Sequence, residues 1–367
     1  MPESVFDSHR ERSGRVLVAM SGGVDSAVAA ARLVDQGYDV VGVTFHLWDY
    51  PEDGDAKAHG RCCAPEDQYD AQRTADAIGI PHFTFDRRAL FQRIVVDPFI
   101  DAYLAGDTPS PCTACNRGVK LGELVALADR LGASHVATGH YARLGRTSDG
   151  SPCLLEGVDR DKDQSYFLYA TPRAKLERLV FPLGSSTKSE VRAEAVTRRL
   201  PGANKGESQE LCFVGQGAGA YASFVSERAP DRLRPGPIVN ADGRVVGAHN
   251  GIHHFTVGQR KGLGVALGKP AFVTSIDADT ATVRLGDASE LAKLMARVED
   301  VVLAPGVSLP FNARVRVRYR HEGARARVEA DERGAVIAFA RPVRAVSRGQ
   351  IAVFYDKERV LGGGRLC

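Results

Sequence analysis

Residues 16–30 read VLVAMSGGVDSAVAA, and this stretch decides the fold class. An apolar run at 16–20 is followed by a turn with two glycines at 21–26 and by an alanine-rich segment that ends at Gly37. The pattern predicts a buried strand, a glycine turn and a helix. A helix that starts directly after such a turn binds phosphate oxygens through backbone N–H groups, without a lysine. We therefore expect a phosphate-binding loop at residues 21–26.

The alternation of strand and helix continues over roughly the first 200 residues. Apolar or strand-like runs recur at 40–48, 82–86 and 134–140, and helix-like segments separate them. This alternation predicts an α/β fold with a doubly wound parallel sheet covered by helices on both faces. The glycine turn and the ATGH segment at 137–140 then fall at the carboxyl ends of strands, where such sheets bind ligands.

The sequence pattern changes after about residue 215, where short β-like runs alternate with Gly, Pro and Asn. We predict three domains: an α/β domain at 14–215, a small middle domain at 216–284 and a C-terminal antiparallel β-barrel-like domain at 285–367. Within the last domain, residues 314–320 alternate strictly between arginine and apolar or aromatic side chains. If the stretch is one strand, its four arginines share one face and form a rail for phosphate groups.

Composition excludes several classes of protein. The chain has 367 residues, 44% of them hydrophobic and 25% charged, which is typical of soluble globular proteins of two or three domains. It has no apolar run long enough to span a membrane and no apolar stretch behind its charged N-terminus, so we expect a cytoplasmic protein without a membrane partner. The net charge is only +3, but residues 311–350 carry ten Arg against four acids, which favours a polyanionic partner.

The seven cysteines are too few and too irregular for a disulfide framework. Cys112 and Cys115 lie in PCTAC, which we interpret as a Pro-rich loop before a helix, where a thiol is exposed and reactive. Cys212 lies in ELCFVG. A metal knuckle at the first pair and a buried core thiol at Cys212 are the alternatives. Cys62 and Cys63 are interpreted as a pair of loop thiols without an assigned role.

SGGVDS is the signature of the N-type ATP pyrophosphatases, the PP-loop enzymes. The chain also contains PCTACN, ATGHYAR, RDKDQSYFL, LCFVG, FTVGQRKGLG and RGQIAVFYD in that order. With these segments it resembles the tRNA-specific 2-thiouridylase (MnmA/TrmU) family over nearly its whole length. The resemblance implies an ATP-dependent 2-thiolation of the wobble uridine in tRNAs for Lys, Glu and Gln, through an intermediate adenylated at C2. It makes residues 14–215 the adenylating ATP-pyrophosphatase domain, which carries the catalytic cysteines, and residues 216–284 a tRNA-contacting domain. It also implies a sulfur-relay protein or cysteine desulfurase as sulfur donor, and a persulfide as the sulfur carrier.

The resemblance also implies roles for individual residues. Cys115 corresponds to the catalytic nucleophile and Cys212 to the cysteine that receives the persulfide sulfur, and turnover joins the two in a disulfide bond. Asp25 is a candidate ligand for Mg²⁺ beside the pyrophosphate, because Mg²⁺ prefers carboxylate oxygens. The implied ATP contacts are Ala19, Met20, Ser21, Gly22, Gly23, Val24, Asp25, Ser26, Phe45 and Gly139. The implied tRNA contacts are Ser110, Pro111, Cys112, His140, Lys162, Asp163, Gln164, Arg318, Tyr319 and Gln350.

Cys112 departs from the family pattern, because the better-known branch has an acid three residues before the nucleophile. The same reaction with a [4Fe-4S] cluster on Cys112, Cys115 and Cys212 is therefore an alternative. A second alternative is another adenylating tRNA-modifying enzyme, such as a lysidine synthetase, which needs neither Cys115 nor Cys212. A third is a non-catalytic protein that binds tRNA or carries an iron–sulfur cluster.

Overall fold

The computed structural model describes residues 14–49, 65–203, 205, 206, 211–215, 217, 219–266 and 268–367. The chain forms two compact units. The first unit comprises Met1–Val95, Cys112–Phe213 and Glu358–Val360, and the second comprises Val96–Pro111, Val214–Lys357 and Leu361–Cys367.

The described residues form α-helices, strands and short helical turns. The α-helices are α1 (Val24–Asp35), α2 (Pro65–Ile78), α3 (Arg88–Phe91), α4 (Asp97–Leu104), α5 (Pro111–Ala114), α6 (Leu121–Arg130), α7 (Arg173–Leu176), α8 (Lys188–Thr197) and α9 (Ala220–Arg228). Two π-helical stretches, Gln92–Val96 and Cys115–Lys120, follow α3 and α5, and 3-10 turns lie at Ser165–Leu168, Pro230–Arg232, Ile252–His254 and Ala288–Leu291.

The strands belong to three sheets. They are β1 (Arg15–Ala19), β2 (Asp39–His46), β3 (His82–Asp86), β4 (His135–Ala137), β5 (Ala142–Arg146), β6 (Pro152–Glu156), β7 (Leu179–Val180), β8 (Gly236–Val239), β9 (Val245–His249), β10 (Phe272–Asp277), β11 (Thr282–Gly286), β12 (Ala292–Leu303), β13 (Phe311–Arg316), β14 (Ala324–Asp331), β15 (Gly334–Arg344), β16 (Ile351–Asp356) and β17 (Arg359–Leu366).

The first unit contains a five-stranded parallel sheet in the order β3-β2-β1-β4-β7. Helices α1 and α2 pack on the face that carries Val16 and Val18, and α6 packs against β1 and β4. Leu17, which alternates with these valines, is also fully buried, so both faces of β1 are covered. The predicted doubly wound parallel sheet is confirmed. The strand order runs outward in opposite directions from β1, so the crevice expected for a ligand lies at the ends of β1 and β4.

The second unit contains two β structures. A four-stranded sheet in the order β10-β11-β8-β9 encloses a small apolar core around Val273 and Val283. Six antiparallel strands, β12-β15-β14-β13-β16-β17, form a barrel that the pairing of β12 with β17 closes. The expected barrel-like domain is therefore confirmed. Among the described residues, we find no helix that combines the length and the apolar content needed to cross a bilayer.

The arginine-rich strand is shorter than its sequence pattern predicts. β13 ends at Arg316, and the chain then bends, so residues 314–320 are not one strand. Arg316 is buried while Arg318 and Arg320 are exposed, so the prediction of four arginines on one face is wrong. The alternation is interrupted because Val315, Arg316 and Val317 are all buried in succession at the strand end.

Candidate functional site

The turn after β1 has a backbone that only glycine adopts without strain. Gly22 has a φ of +70°, and a Cβ at this position would lie 2.1 Å from the carbonyl oxygen of Asp67. Ser26, in the first turn of α1, ties the loop together: its Oγ accepts from Ser21 N (3.1 Å) and donates to Gly23 O (3.0 Å). No side chain caps α1 at Gly23. This arrangement has the form expected of a phosphate-binding helix N-terminus.

The segment after β4 lies against the same helix start. A Cβ on Gly139 would lie 2.9 Å from Asp25 C and Ser26 N, so the ATGH motif reaches the glycine loop only because it has no side chain there. Next to it, the hydroxyl of Thr138 and Nδ1 of His140 are 2.7 Å apart. Burial, and then the charge of Lys120, lower the pKa of His140 to about 3, so its ring is neutral. Phe45, near the end of β2, is 6% exposed. The structure thus brings the ATP-contact candidates to one sheet edge.

Asp25 has two partners that the sequence analysis did not assign to the site. The Nζ of Lys188 donates to both carboxylate oxygens of Asp25 at 2.7 Å, and the hydroxyl of Tyr141 donates to Oδ1 at 2.8 Å. Lys188 is the first residue of α8, behind the Thr187–Glu190 capping box. The available signal was the STKSEV pattern, which fixes where α8 begins but not what its first side chain contacts.

The contacts of Asp25 bear on its expected role as a Mg²⁺ ligand. An ammonium group within 2.7 Å of both oxygens takes the positions from which a carboxylate binds a cation. A Mg²⁺ ion at Asp25 would share the carboxylate with this ammonium group. The cation at this carboxylate is Lys188, whose side chain is only 11% exposed.

Cys112 and Cys115 lie in helical structure rather than in the expected loop. Cys112 belongs to α5, and Cys115 begins the π-helical stretch Cys115–Lys120. Cys115 is 6% exposed, so the expectation of an exposed thiol is wrong for this residue. The Pro-rich residues before it misled the prediction, because proline is also tolerated in the first turn of a helix. π-helical turns inside helices occur frequently at functional sites.

The segment of Cys212 packs on an aromatic cluster. The ring of Phe213 lies 5.6 Å from that of Phe91 and 6.0 Å from that of Trp48, measured between centroids. Phe91 ends α3, and α3 also packs against the π-helical stretch that begins with Cys115. The residue next to Cys212 and the helix that carries Cys115 therefore share a neighbour, although the two cysteines lie almost a hundred residues apart in sequence.

Lys205 ties the segment before Cys212 to α2. Its Nζ lies 2.7 Å from Asp67 Oδ1 and 2.5 Å from Asp70 Oδ2. Burial lowers the pKa of Lys205, but hydrogen bonds to Asp67 and Asp70 outweigh it, and the pKa is raised above its ordinary value. Asp67 is also the residue whose carbonyl faces Gly22. The ion pairs of Lys205 thus join α2, whose Asp67 backbone lies against Gly22, to the chain that leads to Cys212.

Within the described ranges, no three His, Cys, Asp or Glu side chains are grouped so that they could hold a metal ion. Cys112, Cys115 and Cys212 as placed here do not fit a three-cysteine cluster site. Cys62 and Cys63 lie outside the described residues.

The three tRNA-contact candidates between β6 and the 3-10 turn at Ser165–Leu168 differ in accessibility. Asp163 is 2% exposed, and its oxygens accept from Gly157 N, Ser165 N and Ser165 Oγ, each at 3.0 Å. Lys162 and Gln164 are half-buried. The side chain of Asp163 therefore holds its own loop together. Because its carboxylate is buried, a ligand can contact Asp163 only through its backbone atoms.

In the second unit, two loops with tRNA-contact candidates are joined. Thr108 N donates to Arg348 O at 2.8 Å, and Arg348 also pairs with the buried Asp107. These bonds hold the chain that leads to Ser110 and Pro111 next to the loop that contains Gln350.

Arginines of the barrel are oriented by rings and carbonyl groups. The guanidinium of Arg314 lies 4.6 Å from the ring centroid of Tyr355, and that of Arg316 lies 5.9 Å from the ring of Tyr319. Arg318 is exposed and donates to Arg344 O at 3.3 Å.

Comparisons with known proteins agree with this architecture. Three family models match: "tRNA methyl transferase HUP domain" over residues 14–216, "tRNA methyl transferase PRC-barrel domain" over 222–287 and "Aminomethyltransferase beta-barrel domain" over 294–366.

Similar proteins cover almost the whole chain. The "tRNA-specific 2-thiouridylase MnmA" of Sorangium cellulosum (strain So ce56) is 62% identical over 364 residues, which is 97% of this chain and 93% of that protein. The proteins of the same name from Roseiflexus sp. (strain RS-1) and Moorella thermoacetica (strain ATCC 39073 / JCM 9320) are each 44% identical. They cover 96% and 95% of this chain and are themselves covered to 99% and 98%. At this identity and coverage, the chain belongs to the tRNA-specific 2-thiouridylase MnmA family.

Proposed function

We propose that this protein is an ATP-dependent tRNA-uridine 2-sulfurtransferase that thiolates the wobble uridine of tRNAs for Lys, Glu and Gln. The observation that carries the proposal is that one unit holds both the glycine loop with its Asp25–Lys188 pair and the two cysteine segments that pack against α3. An adenylating enzyme without sulfur chemistry needs the first feature but not the second.

The chemistry explains why ATP is needed. The C2 carbonyl of uridine is a poor electrophile because its oxygen would have to leave as oxide. Transfer of AMP from ATP to that oxygen releases pyrophosphate and converts the oxygen into a stable leaving group. The turn at 21–26 and the N-terminus of α1 bind the phosphates, and Lys188 supplies the positive charge that developing pyrophosphate needs. When Mg²⁺ accompanies ATP, it neutralises phosphate charge; Asp25 keeps Lys188 in place.

Sulfur arrives as a persulfide on Cys212, loaded by a sulfur-relay protein or a cysteine desulfurase. A persulfide has a low pKa and an exposed terminal sulfur, so it is a good nucleophile near neutrality. By one route its terminal sulfur attacks C2, AMP leaves, and the Cys115 thiolate then attacks the Cys212 sulfur and releases the thiouridine. By the other route Cys115 reduces the persulfide first and frees sulfide, which attacks C2. Both routes leave a Cys115–Cys212 disulfide, which an external thiol reductant must reduce.

Contacts with tRNA are assigned to both units. In the second unit these are Ser110, Pro111, Arg318, Tyr319 and Gln350. In the first they are Cys112, His140 and the loop of Lys162, Asp163 and Gln164. The neutral ring of His140 suits a hydrogen bond with a base rather than an ion pair with phosphate. Extraction of the target base from its stack costs a few kcal/mol, which broad contact with phosphates offsets.

The test is mass analysis of tRNA after incubation with ATP and a persulfide donor. We expect the replacement of one oxygen by sulfur at the wobble uridine, and loss of this product in Cys115→Ser and in Cys212→Ser. Cys153→Ser is the matched control, because Cys153 is a buried cysteine outside the proposed chemistry. Full activity of both catalytic variants would contradict the thiolase and favour another adenylating tRNA-modifying enzyme.

The cluster alternative has its own readout. Protein purified without oxygen is analysed for iron and for absorbance in the iron–sulfur band, and Cys112→Asp is compared with the wild type. We expect a colourless protein and retained thiolation in Cys112→Asp, because Cys112 carries no sulfur in the persulfide route and the better-known branch of the family has an acid at this position. Stoichiometric iron that is lost in Cys112→Asp together with activity would favour the cluster.

A further inference from the structure

The peptide group between Met20 and Ser21, where the glycine loop begins, is held on both sides. The carbonyl oxygen of Met20 accepts from Oγ1 of Thr44 at 2.7 Å. The N–H group of Ser21 donates to Oγ of Ser26 at 3.1 Å. Because the peptide group is planar, a hydroxyl that fixes its carbonyl also fixes the direction of its N–H group. Thr44 lies on β2, outside the loop, and yet takes part in setting the loop's shape.

The hydroxyl of Thr44 has a second partner, the ring of His82 at the start of β3. Its Oγ1 lies 2.8 Å from Nε2 of His82. A threonine hydroxyl carries one proton, and the bond to Met20 O uses it, because a carbonyl oxygen only accepts. Towards His82 the hydroxyl can therefore only accept, which requires a proton on Nε2. The ring lies close to Gly42, where a Cβ would be 3.0 Å from its Cδ2.

The other ring nitrogen of His82 faces helix α2. Nδ1 lies 2.9 Å from Oε1 of Gln72, and the amide nitrogen of Gln72 donates to Oδ1 of Asp76 at 2.9 Å. An amide oxygen also only accepts, so both bonds of the ring form together only when the ring carries two protons and is charged. Burial lowers the pKa of His82 below 6.5, and the charge of Asp76 offsets only part of that effect. At neutral pH the ring is therefore largely neutral, and it gives up one of the two bonds.

Burial decides which bond the neutral ring keeps. Thr44 is 3% exposed, whereas Gln72 and Asp76 are exposed. Water can replace the lost bond at Gln72 but cannot reach Thr44, and an unsatisfied polar group costs most where it is buried. The neutral ring therefore keeps its proton on Nε2.

We propose that Thr44 and His82 are positioning residues for the glycine loop: His82 donates to Thr44, so that Thr44 gives its proton to Met20 O and holds the Met20–Ser21 peptide in the orientation that binds the phosphates of ATP. A ring with its proton on Nδ1 would instead draw the hydroxyl proton to Nε2 and release the Met20 carbonyl. Both side chains act through the backbone of the loop. The inference rests on the proposed function only in taking ATP as the ligand.

The first experiment measures Kd for ATP on the full chain without tRNA. Thr44→Val should weaken ATP binding about fivefold, because it removes the hydroxyl, and Thr44→Ser, which keeps the hydroxyl, should restore it. Thr84→Val is the matched control: Thr84 pairs with Thr44 in the register of β2 and β3 and is exposed. Equal weakening in Thr44→Val and Thr44→Ser would overturn the proposal, because packing of the strand rather than the hydroxyl would then be responsible.

The same measurement separates the two ends of the His82 ring. His82→Phe removes the donor and should weaken ATP binding about threefold, whereas His82→Gln keeps an amide donor and should restore it. Gln72→Ala removes only the exposed partner, and we expect Kd for ATP to stay within about twofold. His135→Phe, at the half-buried histidine that begins β4, is the control. A Gln72→Ala variant that binds ATP as weakly as His82→Phe would contradict the assignment of the proton to Nε2.

The second experiment does not involve ATP. In the ¹⁵N NMR spectrum of the full chain labelled at histidine, the signals of His82 are assigned from their loss in His82→Gln. We expect a neutral ring with its proton on Nε2 near neutral pH, and a proton on Nδ1 would overturn the proposal. Wild-type affinity for ATP in both Thr44→Val and His82→Phe would also overturn it. Thermal unfolding identifies a variant that does not fold, in which case the remaining variant and the spectrum decide. A wild type that binds no ATP contradicts the proposed function, and the spectrum then still decides on the bond between His82 and Thr44.

Discussion

Two groups of charged side chains, one at the glycine loop of the first unit and one in the barrel of the second, are held differently. In the first unit, ions near the glycine loop meet opposite charges: Asp25 meets Lys188, and Asp67 and Asp70 meet Lys205. In the barrel of the second unit, Arg314 and Arg318 lie on aromatic rings or donate to carbonyl groups. A carboxylate fixes and neutralises a cation, whereas a ring or a carbonyl orients it and leaves its full charge. The first arrangement suits a reaction centre and the second a polyanion surface.

The largest effect should come from breaking the Asp25–Lys188 ion pair of the first unit. Lys188→Met removes the ammonium group that donates to the carboxylate of Asp25. We expect pyrophosphate release to fall about 100- to 1000-fold. Lys269→Met in the second unit, whose side chain is 70% exposed, is the matched control and should leave the rate unchanged. Equal rates in both variants would show that Lys188 only supports the start of α8.

The second effect separates adenylation from sulfur transfer. Lys205→Met removes the bond between α2 and the segment that leads to Cys212, so we expect thiolation to fall about tenfold and pyrophosphate release to change less than threefold. Both rates are measured on the same enzyme preparation, and Arg173→Met on α7 is the control. A parallel fall of the two rates would mean that Lys205 acts on the glycine loop instead.

A smaller effect should come from removing an exposed arginine of the second unit. Arg318→Ala should weaken tRNA binding a few-fold and reduce the slope of log Kd against log salt by about one, with Kd for ATP unchanged. Arg173→Ala, an exposed arginine of the first unit that pairs with Glu177, is the control. An unchanged salt slope in Arg318→Ala would remove this residue from the phosphate surface.

The smallest effect is common to both units and depends on pH. Burial lowers the pKa of His140 in the first unit to about 3 and that of His253 in the second to about 4, both from 6.5. As pH falls below 6.5 the unfolded chain binds protons that the folded chain does not, so stability falls by up to about 1.4 kcal/mol per pH unit for each histidine.

Fluorescence of Trp48, the single tryptophan, reports unfolding of the first unit. Urea titrations followed by this signal at neutral and mildly acidic pH should show a shallower loss of stability in His140→Gln than in the wild type. A steeper loss in His140→Gln would mean that the native ring is protonated.

Motif and periodicity were sufficient for the parallel sheet and the glycine turn. All side chains of the run at 16–20 are apolar, so a strand formed there must be buried on both faces. Gly22 and Gly139 lie where a Cβ atom would collide with neighbouring backbone atoms. The pattern was misleading at the end of β13 and at Cys115. In both places burial by distant residues decided the accessibility of the side chain, and local alternation does not carry that information.

The sequence by itself determined the fold class, the glycine loop and the cysteines that carry the family resemblance, because each depends on local backbone geometry or on an ordered set of short motifs. Only the tertiary structure decided that Lys188 and Tyr141 hold Asp25 and that Lys205 joins two separate segments. Those contacts join residues between 116 and 163 positions apart. Chain spacing does not encode such pairs, because they form only when packing of the helices on the sheet brings their side chains within hydrogen-bond distance.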